Sequence, residues 1–426
     1  MAESEKDPDS YDEFASAEIL QRDQHEVTFS RISGDALKVL RRLDRAGYEA
    51  CLVGGSVRDL MLGRRPKDFD VATDATPREV RRLFRNSRLI GRRFRLVHVF
   101  FHDSIVEVST FRGPPRPDGE GDDLLVRDDN VFGSPEEDAF RRDFTVNALF
   151  YRICDQTVVD FVGGIEDLDE GLIRVIGEPD VRFQEDPVRM LRACEMAGRL
   201  GFEVEEEAQQ AILRQREELA KASPARLIEE LLALLRCTAA APSFRWMWEL
   251  GLAEVILPEL GDMLDPELEA SFPQLMPLVD KRVKKEDFSD SFLLAALLVS
   301  TVVHRLQQRE EKLDRHLKRT ELRRVVEEVV AGLRERFALS NIRTKHTEQT
   351  LFLFQRLCEL PIGAPGAIRR VTQHSHFPEA VRLFELLVQA TGQGQENLDG
   401  WLRAGKVAAA APRGRRRSRP RRRRRS

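Results

Sequence analysis

Cysteine is scarce in this sequence and never closely spaced. The five cysteines lie far apart, at positions 51, 154, 194, 237 and 358. No two of them have the CxxC spacing that zinc sites and redox motifs use. The pattern excludes a zinc ribbon and a thioredoxin-like redox centre, and it predicts reduced core thiols in a cytosolic protein.

A membrane-spanning run and a secretory leader are also missing. The most apolar stretch, Phe292–Val303, contains Ser300 and Thr301 and is far shorter than the ~20 residues that cross a bilayer. The N-terminus is acidic and has no basic start followed by an apolar stretch. These absences predict a cytoplasmic protein without membrane partners, in which Phe292–Val303 is a buried helix.

The charge of the chain is unevenly divided. Residues 413–426 contain ten arginines and no acid, so the net charge of −4 becomes −14 when this segment is left out. Such a segment cannot bury apolar surface, and dense arginine binds phosphate backbones by releasing counterions. The pattern predicts a disordered RNA-binding tail that includes Arg415, Arg416 and Arg417. A solubilising tail, or one that lies on a membrane surface, is the alternative.

Strand and helix patterns divide the rest of the chain into two parts. At ~150 residues per domain, 426 residues suggest two or three domains. Strand patterns thin out after residue 136, and from Asp186 to about residue 395 the apolar spacing is helical. We therefore predict an α/β head followed by an all-helical remainder. Residues 1–30 are expected to be disordered, and 392–400 to form the linker into the tail.

Two aspartates carry the clearest chemical signal. In an extended strand Asp68 and Asp70 project from one face, about 7 Å apart, and paired carboxylates suit Mg²⁺. Glu107 is predicted on the polar face of a neighbouring hairpin strand, because Val106 and Val108 would face the core. Two Mg²⁺ ions held here, with Mn²⁺ as a substitute, would activate an RNA 3′-hydroxyl and steady the leaving pyrophosphate. By itself the DxD pattern is equally consistent with a surface carboxylate pair.

A glycine turn precedes the aspartates. Gly54 and Gly55 come directly before a predicted short helix, where free backbone amides favour phosphate, and Arg58 lies in its first turn. A plain tight turn is the alternative. A phosphate site and a metal pair separated by one short helix favour nucleotide chemistry over either alternative.

Two further clusters are rich in paired charges. If EEDAFRRDFTVNALFY, residues 136–151, is helical, Asp143 and Asn147 share one face with Arg142 beside them. A solvated face over a packed one is equally consistent with that segment. In QEDPVRMLRA, Asp186 is the predicted N-cap and is followed by Arg189 and Arg192. A capping ion pair between Asp186 and Arg189 is the alternative there.

A basic cluster and a long loop flank the predicted hairpin. Arg92, Arg93, Phe94 and Arg95 suit an RNA backbone with a base stacked on Phe94. A hairpin edge protected by charge is the alternative. Residues 113–130 are rich in proline, glycine and aspartate and are predicted to form a long flexible loop of functional importance.

In this order the clusters resemble the motifs of the class II nucleotidyltransferase superfamily, which contains bacterial poly(A) polymerases and CCA-adding enzymes. The resemblance covers about residues 31–240 and rests on LVGGSVRD with KDFD, on RRDFTVNAL and on EDPVRMLRA. It implies metal binding by Asp68 and Asp70, and Asp143 as the third catalytic acid; strand geometry favours Glu107 for that role. It implies nucleotide binding by Gly54, Gly55, Arg58, Arg142, Asn147, Asp186, Arg189 and Arg192.

The resemblance also implies an architecture. It predicts an α+β head with a polymerase-β-like palm over residues 31–160, and all-helical neck and body domains. The neck would span residues 161–240 and read the base, and the body would span residues 241–395 and bind RNA. Residues 396–426 would be a linker and a disordered arginine-rich tail.

Within the superfamily, three features resemble the poly(A) polymerase branch: LIGRRFRLVHVFF, FGSPEEDAFRRDFTVNALFY and the arginine-rich tail. The implied activity is template-independent transfer of AMP from ATP to RNA 3′ ends, with RNA and RNA-decay proteins as partners. A CCA-adding tRNA nucleotidyltransferase is the alternative enzyme. A non-catalytic RNA-binding protein is the alternative of another class, and the intact carboxylates and glycine turn argue against it.

Overall fold

The computed structural model describes residues 17–91, 95–113, 132–264, 272–359 and 365–410. The chain divides into two compact units. The first contains Met1–Ala222 with Glu249–Leu252, and the second contains Ser223–Trp248 with Ala253–Ser426. The predicted fold class, an α+β head followed by helices, is confirmed.

The first unit is built on a sheet that has eight strands among the described residues. Its strands are β1 Glu18–Leu20, β2 Ala50–Val53, β3 Asp70–Thr73, β4 Ser87–Ile90, β5 Leu96–Phe100, β6 Ile105–Thr110, β7 Phe150–Arg152 and β8 Thr157–Asp160. They lie in the order β1-β8-β7-β2-β3-β6-β5-β4. Neighbours are antiparallel except β3 and β6, which are parallel. A small parallel pair, β9 Leu172–Ile173 and β10 Glu203–Val204, lies outside this sheet.

The described part of the first unit also contains eight α-helices, which lie between and after the strands in sequence. They are α1 Gly34–Arg45, α2 Gly55–Met61, α3 Pro77–Leu83, α4 Pro135–Phe140, α5 Gly164–Glu170, α6 Pro179–Glu185, α7 Val188–Leu200 and α8 Glu206–Gln215. Local sequence explains α3, since Thr76 and Glu79 form a capping box around Pro77 at the first helical position. Ser134, Pro135 and Glu137 start α4 in the same way.

The two faces of the sheet are covered differently. Helices α1 and α3 pack on the face that contains Val71, Val97 and Val108, all fully buried. On the other face, Cys51, Val53 and Ala72 form an apolar cluster with residues of α4 and of the segment that follows it. That cluster covers β2, β7 and β8, so the half of this face formed by β6, β5 and β4 has a different environment.

The second unit is helical throughout its described residues. Its helices are α9 Pro224–Arg236, α10 Ala240–Glu249, α11 Leu252–Ile256, α12 Phe272–Val283, α13 Asp290–Leu313, α14 Arg319–Arg336, α15 Asn341–Glu359, α16 Pro365–Thr372, α17 Phe377–Thr391 and α18 Gln395–Ala410. The predicted buried helix at Phe292–Val303 is confirmed as the first half of α13, whose residues Ser291–Val302 are buried. Helices α13, α15 and α17 pack against one another around the fully buried Phe354.

Two predictions at the ends of the chain are wrong for the residues that the structure describes there. Within the expected disordered N-terminus, β1 pairs with β8 and Val27 is fully buried. Within the expected linker, residues from Gln395 onward form α18, and Trp401 is 1% exposed with its Nε1 donating to the Leu357 carbonyl at 3.0 Å. In both places long-range contacts order a segment whose local sequence is polar or glycine-rich. The arginine-rich tail lies outside the described residues.

The helix predicted across residues 136–151 is also wrong. Helix α4 ends at Phe140, a short 3-10 helix spans Thr145–Asn147, and β7 begins at Phe150. Phe144 forms an isolated antiparallel bridge with Val175 and is fully buried, and Phe150 is buried in the apolar cluster of the sheet. Burial of these aromatic side chains in the sheet outweighs the helical spacing of the sequence.

Candidate nucleotidyl-transfer site

Asp70 lies beside Glu107 where the two parallel strands meet. Asp70 is the first residue of β3 and pairs in register with Glu107 of β6. Burial raises the pKa of Asp70 to about 6, and the negative charges of Glu107 and Asp68 add to the effect, while Arg142 opposes it. Asp68 precedes the strand and is exposed. Three carboxylates therefore share a small region of the surface, although Asp68 lies outside the strand in which it was predicted.

Glu107 is held by a neighbour that the sequence analysis did not single out. Its Oε1 lies 3.0 Å from His98 Nε2 on β5, and its side chain is 50% exposed. Asp143, the other candidate for the third acid, is engaged by Arg192 and Asn147. The geometry thus brings Glu107 to Asp70, while the catalytic roles themselves stay predictions.

The glycine turn lies next to the carboxylates. Val53 pairs with Asp70 across β2 and β3, so Gly54 follows directly beside the site. Gly54 has φ +69°, and a Cβ on it would lie 3.2 Å from Arg142 Nη1. A Cβ on Gly55 would lie 3.2 Å from Arg58 Nη2. Two guanidinium groups therefore approach the turn closely, which a side chain at either glycine would obstruct.

Arg58 is buried and fully engaged by the protein. It is 3% exposed, and burial lowers its pKa. Its Nε and Nη2 donate to Asp59 Oδ1 at 2.9 and 2.7 Å, and its Nη1 donates to Asn147 Oδ1. The guanidinium therefore acts as a fixed positive charge under the glycine turn. Asp59, its main partner, was not among the predicted site residues.

Asn147 and Asp143 extend the network from Arg58. Asn147 Nδ2 donates to Asp143 Oδ1 at 3.2 Å, although the two residues do not share a helix. Asp143 Oδ1 also accepts from the Phe144 amide at 2.9 Å, and its Oδ2 lies 2.6 Å from Arg192 Nη2. Burial alone would raise the pKa of Asp143, but Arg192 and Asn147 outweigh it and lower the pKa. Asp143 is therefore an ionised anchor between two predicted nucleotide-binding motifs.

Arg142 depends on a second aspartate that the sequence analysis missed. Asp138 is 2% exposed, and its Oδ2 accepts from Arg142 Nη2 at 2.8 Å. The Arg142 guanidinium also lies over the ring of Phe150, 5.2 Å from its centroid, and Nη1 donates to the Asn147 carbonyl at 3.3 Å. The spacing of four residues between Asp138 and Arg142 is the sequence signal that would have found this pair.

The third motif is arranged differently from the prediction. Asp186 is the C-cap of α6 rather than an N-cap, and Pro187 is the N-cap of α7. The cause is local, because a residue before proline is driven out of the helical region. Arg189 Nη1 donates to the Arg182 carbonyl at 2.9 Å and lies 3.4 Å from Glu185 Oε2. Arg192, through Asp143, connects this motif to the rest of the site.

The predicted RNA-binding residues are only partly described. Arg95 is exposed just before β5. Arg92, Arg93 and Phe94 lie outside the described residues, as do Arg415, Arg416, Arg417 and nearly all of the predicted loop at 113–130.

Within the segments that the structure describes, no group of three or more His, Cys, Asp or Glu side chains is arranged to hold a metal ion. None of the described helices is long and apolar enough to cross a membrane.

Two family models match this chain, and one of them covers most of the candidate site. Residues 50–174 match the model of the poly(A) polymerase head domain. Residues 201–264 match a model described as the probable RNA and SrmB-binding site of polymerase A. The first match contains Gly54, Asp68, Asp70, Glu107 and Asp143, so the site lies within one recognised domain apart from Asp186 and the α7 arginines.

Curated relatives carry two different names. Poly(A) polymerase I of Salmonella typhi is 47% identical over 294 residues, which are 66% of this chain and 63% of that protein. The chain thus spans less than two thirds of the length of that relative. The CCA-adding enzyme of Bacillus velezensis is 37% identical over 239 residues, 56% of this chain and 59% of that enzyme. Identity is higher, and the match longer, with the poly(A) polymerase.

The fold is similar to a solved structure of a CCA-adding enzyme. The Bacillus stearothermophilus enzyme in complex with CTP aligns with a TM-score of 0.64 and 25% identity, covering 87% of this chain and 82% of that one. A mixed-sheet head followed by many helices is therefore common to both proteins.

Proposed function

Because residues 50–174 carry the head domain of poly(A) polymerases, we propose that the chain transfers AMP from ATP to RNA 3′ ends without a template, releases pyrophosphate and promotes RNA processing and decay in the cytoplasm. The observation that carries the proposal is the register of Asp70 with Glu107 beside the glycine turn at Gly54. Carboxylates beside a turn that suits phosphates support this proposal, because nucleotidyl transfer needs a metal ion next to the phosphates.

The carboxylates suit Mg²⁺ as a bound cofactor, with Mn²⁺ as a substitute. Like charges on Glu107 and Asp68 contribute to the raised pKa of Asp70, and a divalent cation would relieve that repulsion. Asp68 and Asp70 would hold the metal, and Glu107 is the better placed candidate for the third acid. Two bound ions would supply Lewis-acid stabilisation of the phosphoryl group and a more reactive 3′-hydroxyl.

The protein side chains bind and orient the nucleotide. Arg58 and Arg142 provide positive charge beneath the glycine turn, where the triphosphate of ATP would lie. Their hydrogen bonds to Asp59, Asp138 and Asn147 fix them before the substrate arrives, so little reorganisation is needed on binding. We assign reading of the base to Asp186 and Arg189, and a phosphate contact to Arg192.

RNA contacts extend beyond the head. The match of residues 201–264 to a probable RNA-binding segment supports RNA binding there. The basic residues Arg92–Arg95 and the arginine-rich tail at 413–426 supply further charge for the phosphate backbone.

CCA addition is the second candidate. It is favoured by the similarity of fold to a CCA-adding enzyme, which extends over 87% of the chain. The higher identity to poly(A) polymerase I favours the first candidate. Deletion of residues 413–426 separates the two, since repair of a tRNA end would not need the tail, whereas addition to generic RNA would lose affinity.

A primer-extension assay tests the proposal directly. Purified protein with Mg²⁺ is offered ATP, CTP or both, on an unstructured RNA and on a tRNA that lacks its 3′ end. Long tails from ATP alone on either RNA are expected. Addition that stops after CCA on the tRNA would assign the chain to tRNA repair, and no extension with any nucleotide would make it a non-catalytic RNA-binding protein.

A further inference from the structure

The sheet face that bears Asp70 has one half that carries exposed apolar side chains. On the half formed by β2, β7 and β8, Cys51, Val53 and Phe150 are buried in one cluster with Ala148 of the segment after α4. On the half formed by β6 and β5, Ile105 is 51% and Phe100 39% exposed. Asp70 lies at the boundary between the two halves, because β3 pairs with β2 on one side and β6 on the other.

Strand register places four side chains together on the exposed half. Phe100 pairs with Ile105, His98 pairs with Glu107, and Arg88 of β4 pairs with His98. Paired residues of neighbouring strands project from the same face. We call Arg88, His98, Phe100 and Ile105 the open strip; it runs away from Glu107, which in turn pairs with Asp70.

The hairpin that carries the open strip is fixed to the body of the head. Ser104 Oγ in its turn donates to Asp35 Oδ2 of α1 at 2.8 Å. Phe101, the next residue after Phe100, lies with its ring 5.5 Å from Lys38 Nζ of α1. Neighbouring aromatics therefore serve different purposes, since Phe101 anchors the hairpin and Phe100 is left exposed on a rigid support.

The chemistry of the open strip matches single-stranded nucleic acid. An exposed aromatic ring next to an exposed aliphatic side chain offers a surface for base stacking, and Arg88 adds positive charge for a phosphate. The His98 ring lies edge-on to Phe100, with centroids 6.2 Å apart, which fixes the orientation of the Phe100 ring. Ile105 is two residues from Glu107 along β6, about 7 Å, which is close enough for an RNA strand with its end at Asp70.

We propose that the open strip binds the last nucleotides of the RNA strand, with a base stacked on Phe100, and this inference rests on the proposed function. A second copy of the chain is a poorer occupant, because stable protein interfaces bury about 800 Å² on each partner and the strip offers two apolar side chains.

Kinetics of three variants test the proposal. Phe100→Ala is expected to raise KM for RNA about 5- to 160-fold, which corresponds to the ~1–3 kcal/mol of one lost base stack, and to leave KM for ATP unchanged. Phe100→Trp should restore KM for RNA, because it keeps an aromatic surface. Leu89→Ala is the matched control: Leu89 is 36% exposed on the same sheet but pairs with the buried Val97, so it belongs to the opposite face.

Crosslinking gives a readout that does not depend on catalysis. An RNA that ends in a 3′-deoxynucleotide and carries 4-thiouridine next to its end is irradiated with the full-length protein without ATP. Crosslinks to the peptide that contains Phe100 are expected, and Phe100→Ala should reduce them while Leu89→Ala should not.

The outcomes separate this inference from the proposed function. If the wild-type protein is active and Phe100→Ala leaves both KM for RNA and the crosslink unchanged, the open strip does not bind the RNA end. The proposed function would still stand. A wild-type protein that crosslinks at Phe100 but adds no nucleotide would overturn the proposed function and keep the RNA site. A concentration-dependent increase in mass that Phe100→Ala abolishes would assign the strip to a second copy and overturn the inference.

Discussion

The two units of the chain bury polar groups of different kinds. Around its candidate site, the first unit buries Arg58, Asp138, Asp143 and Asn147, and these form pairs with one another or with nearby charges. The second unit buries mainly Ser and Thr hydroxyls that return hydrogen bonds to helix carbonyls, as Thr344 does to Ser340 at 3.0 Å. Burying a charged group costs free energy unless the group is paired. The clustering of buried charged groups around the candidate site therefore indicates a function of the first unit that the second unit does not share.

This comparison predicts that substitutions in the first unit change chemistry and those in the second change stability. The sharpest case is Asp68→Ala, because Asp68 is exposed and contributes little to folding. Extension activity should fall by more than ~10³-fold through loss of a metal ligand, with an unchanged melting temperature. Single-turnover extension and thermal unfolding measure the two quantities; an active Asp68→Ala protein would remove Asp68 from the site.

The opposite case lies in the second unit. Phe354→Ala removes a fully buried ring between α15 and α17 and should lower the free energy of unfolding by about 3–5 kcal/mol. Activity per folded molecule should stay close to that of the wild type at low temperature. Urea unfolding and active-site titration test this, and a loss of activity in the fully folded variant would contradict the division between the units.

Asp70→Asn should separate activity from stability within the first unit. The folded-state pKa of Asp70 is about 6, against about 4 for an unperturbed Asp. Between pH 4 and pH 6 the Asp70 carboxyl is therefore protonated in the folded protein and ionised in the unfolded chain. The free energy of unfolding falls as the pH rises through this range. The variant should be inactive yet more stable above pH 6 by about 1–3 kcal/mol. Unfolding of the metal-free protein and of the variant at pH 4 and at pH 7.5 tests this prediction. An equal gain in stability at both pH values would show that titration of Asp70 is not the cause of the gain.

The smallest effect is expected at a buried carboxylate in the second unit. Asp280 accepts from the amides of Ala240 and Ala241 at 2.7 and 3.0 Å, at the start of α10. Asp280→Ala should cost about 1–2 kcal/mol, as for other helix caps, with no change in KM for ATP or RNA. Asp280→Asn, which keeps an acceptor oxygen, should recover part of the loss in chemical unfolding.

Sequence reasoning succeeded where the determinants are local. Alternation in β5 and β6 specifies the hairpin that places Glu107, and the apolar run Phe292–Val303 specifies the buried first half of α13. It failed where residues distant in sequence determine the local structure. β1 is held by β8, and the burial of Phe144 and Phe150 breaks the predicted helix. Asp59 was missed because its importance comes from Arg58, whose orientation only the folded chain reveals, whereas Asp138 was missed although its spacing of four residues from Arg142 indicates the pair.

The parallel pairing of β3 with β6 also bears on the order in which the molecule folds. Asp70 and Glu107 become neighbours only after α3, β4 and β5 have been made, and Arg58 receives Asn147 from still later in the chain. Closing such long loops is slow compared with forming a hairpin. A nascent chain that stops before Asn147 therefore contains Asp68 and Asp70 but lacks the residue that accepts from Arg58, so the proposed nucleotide site is complete only after the chain has passed Asn147.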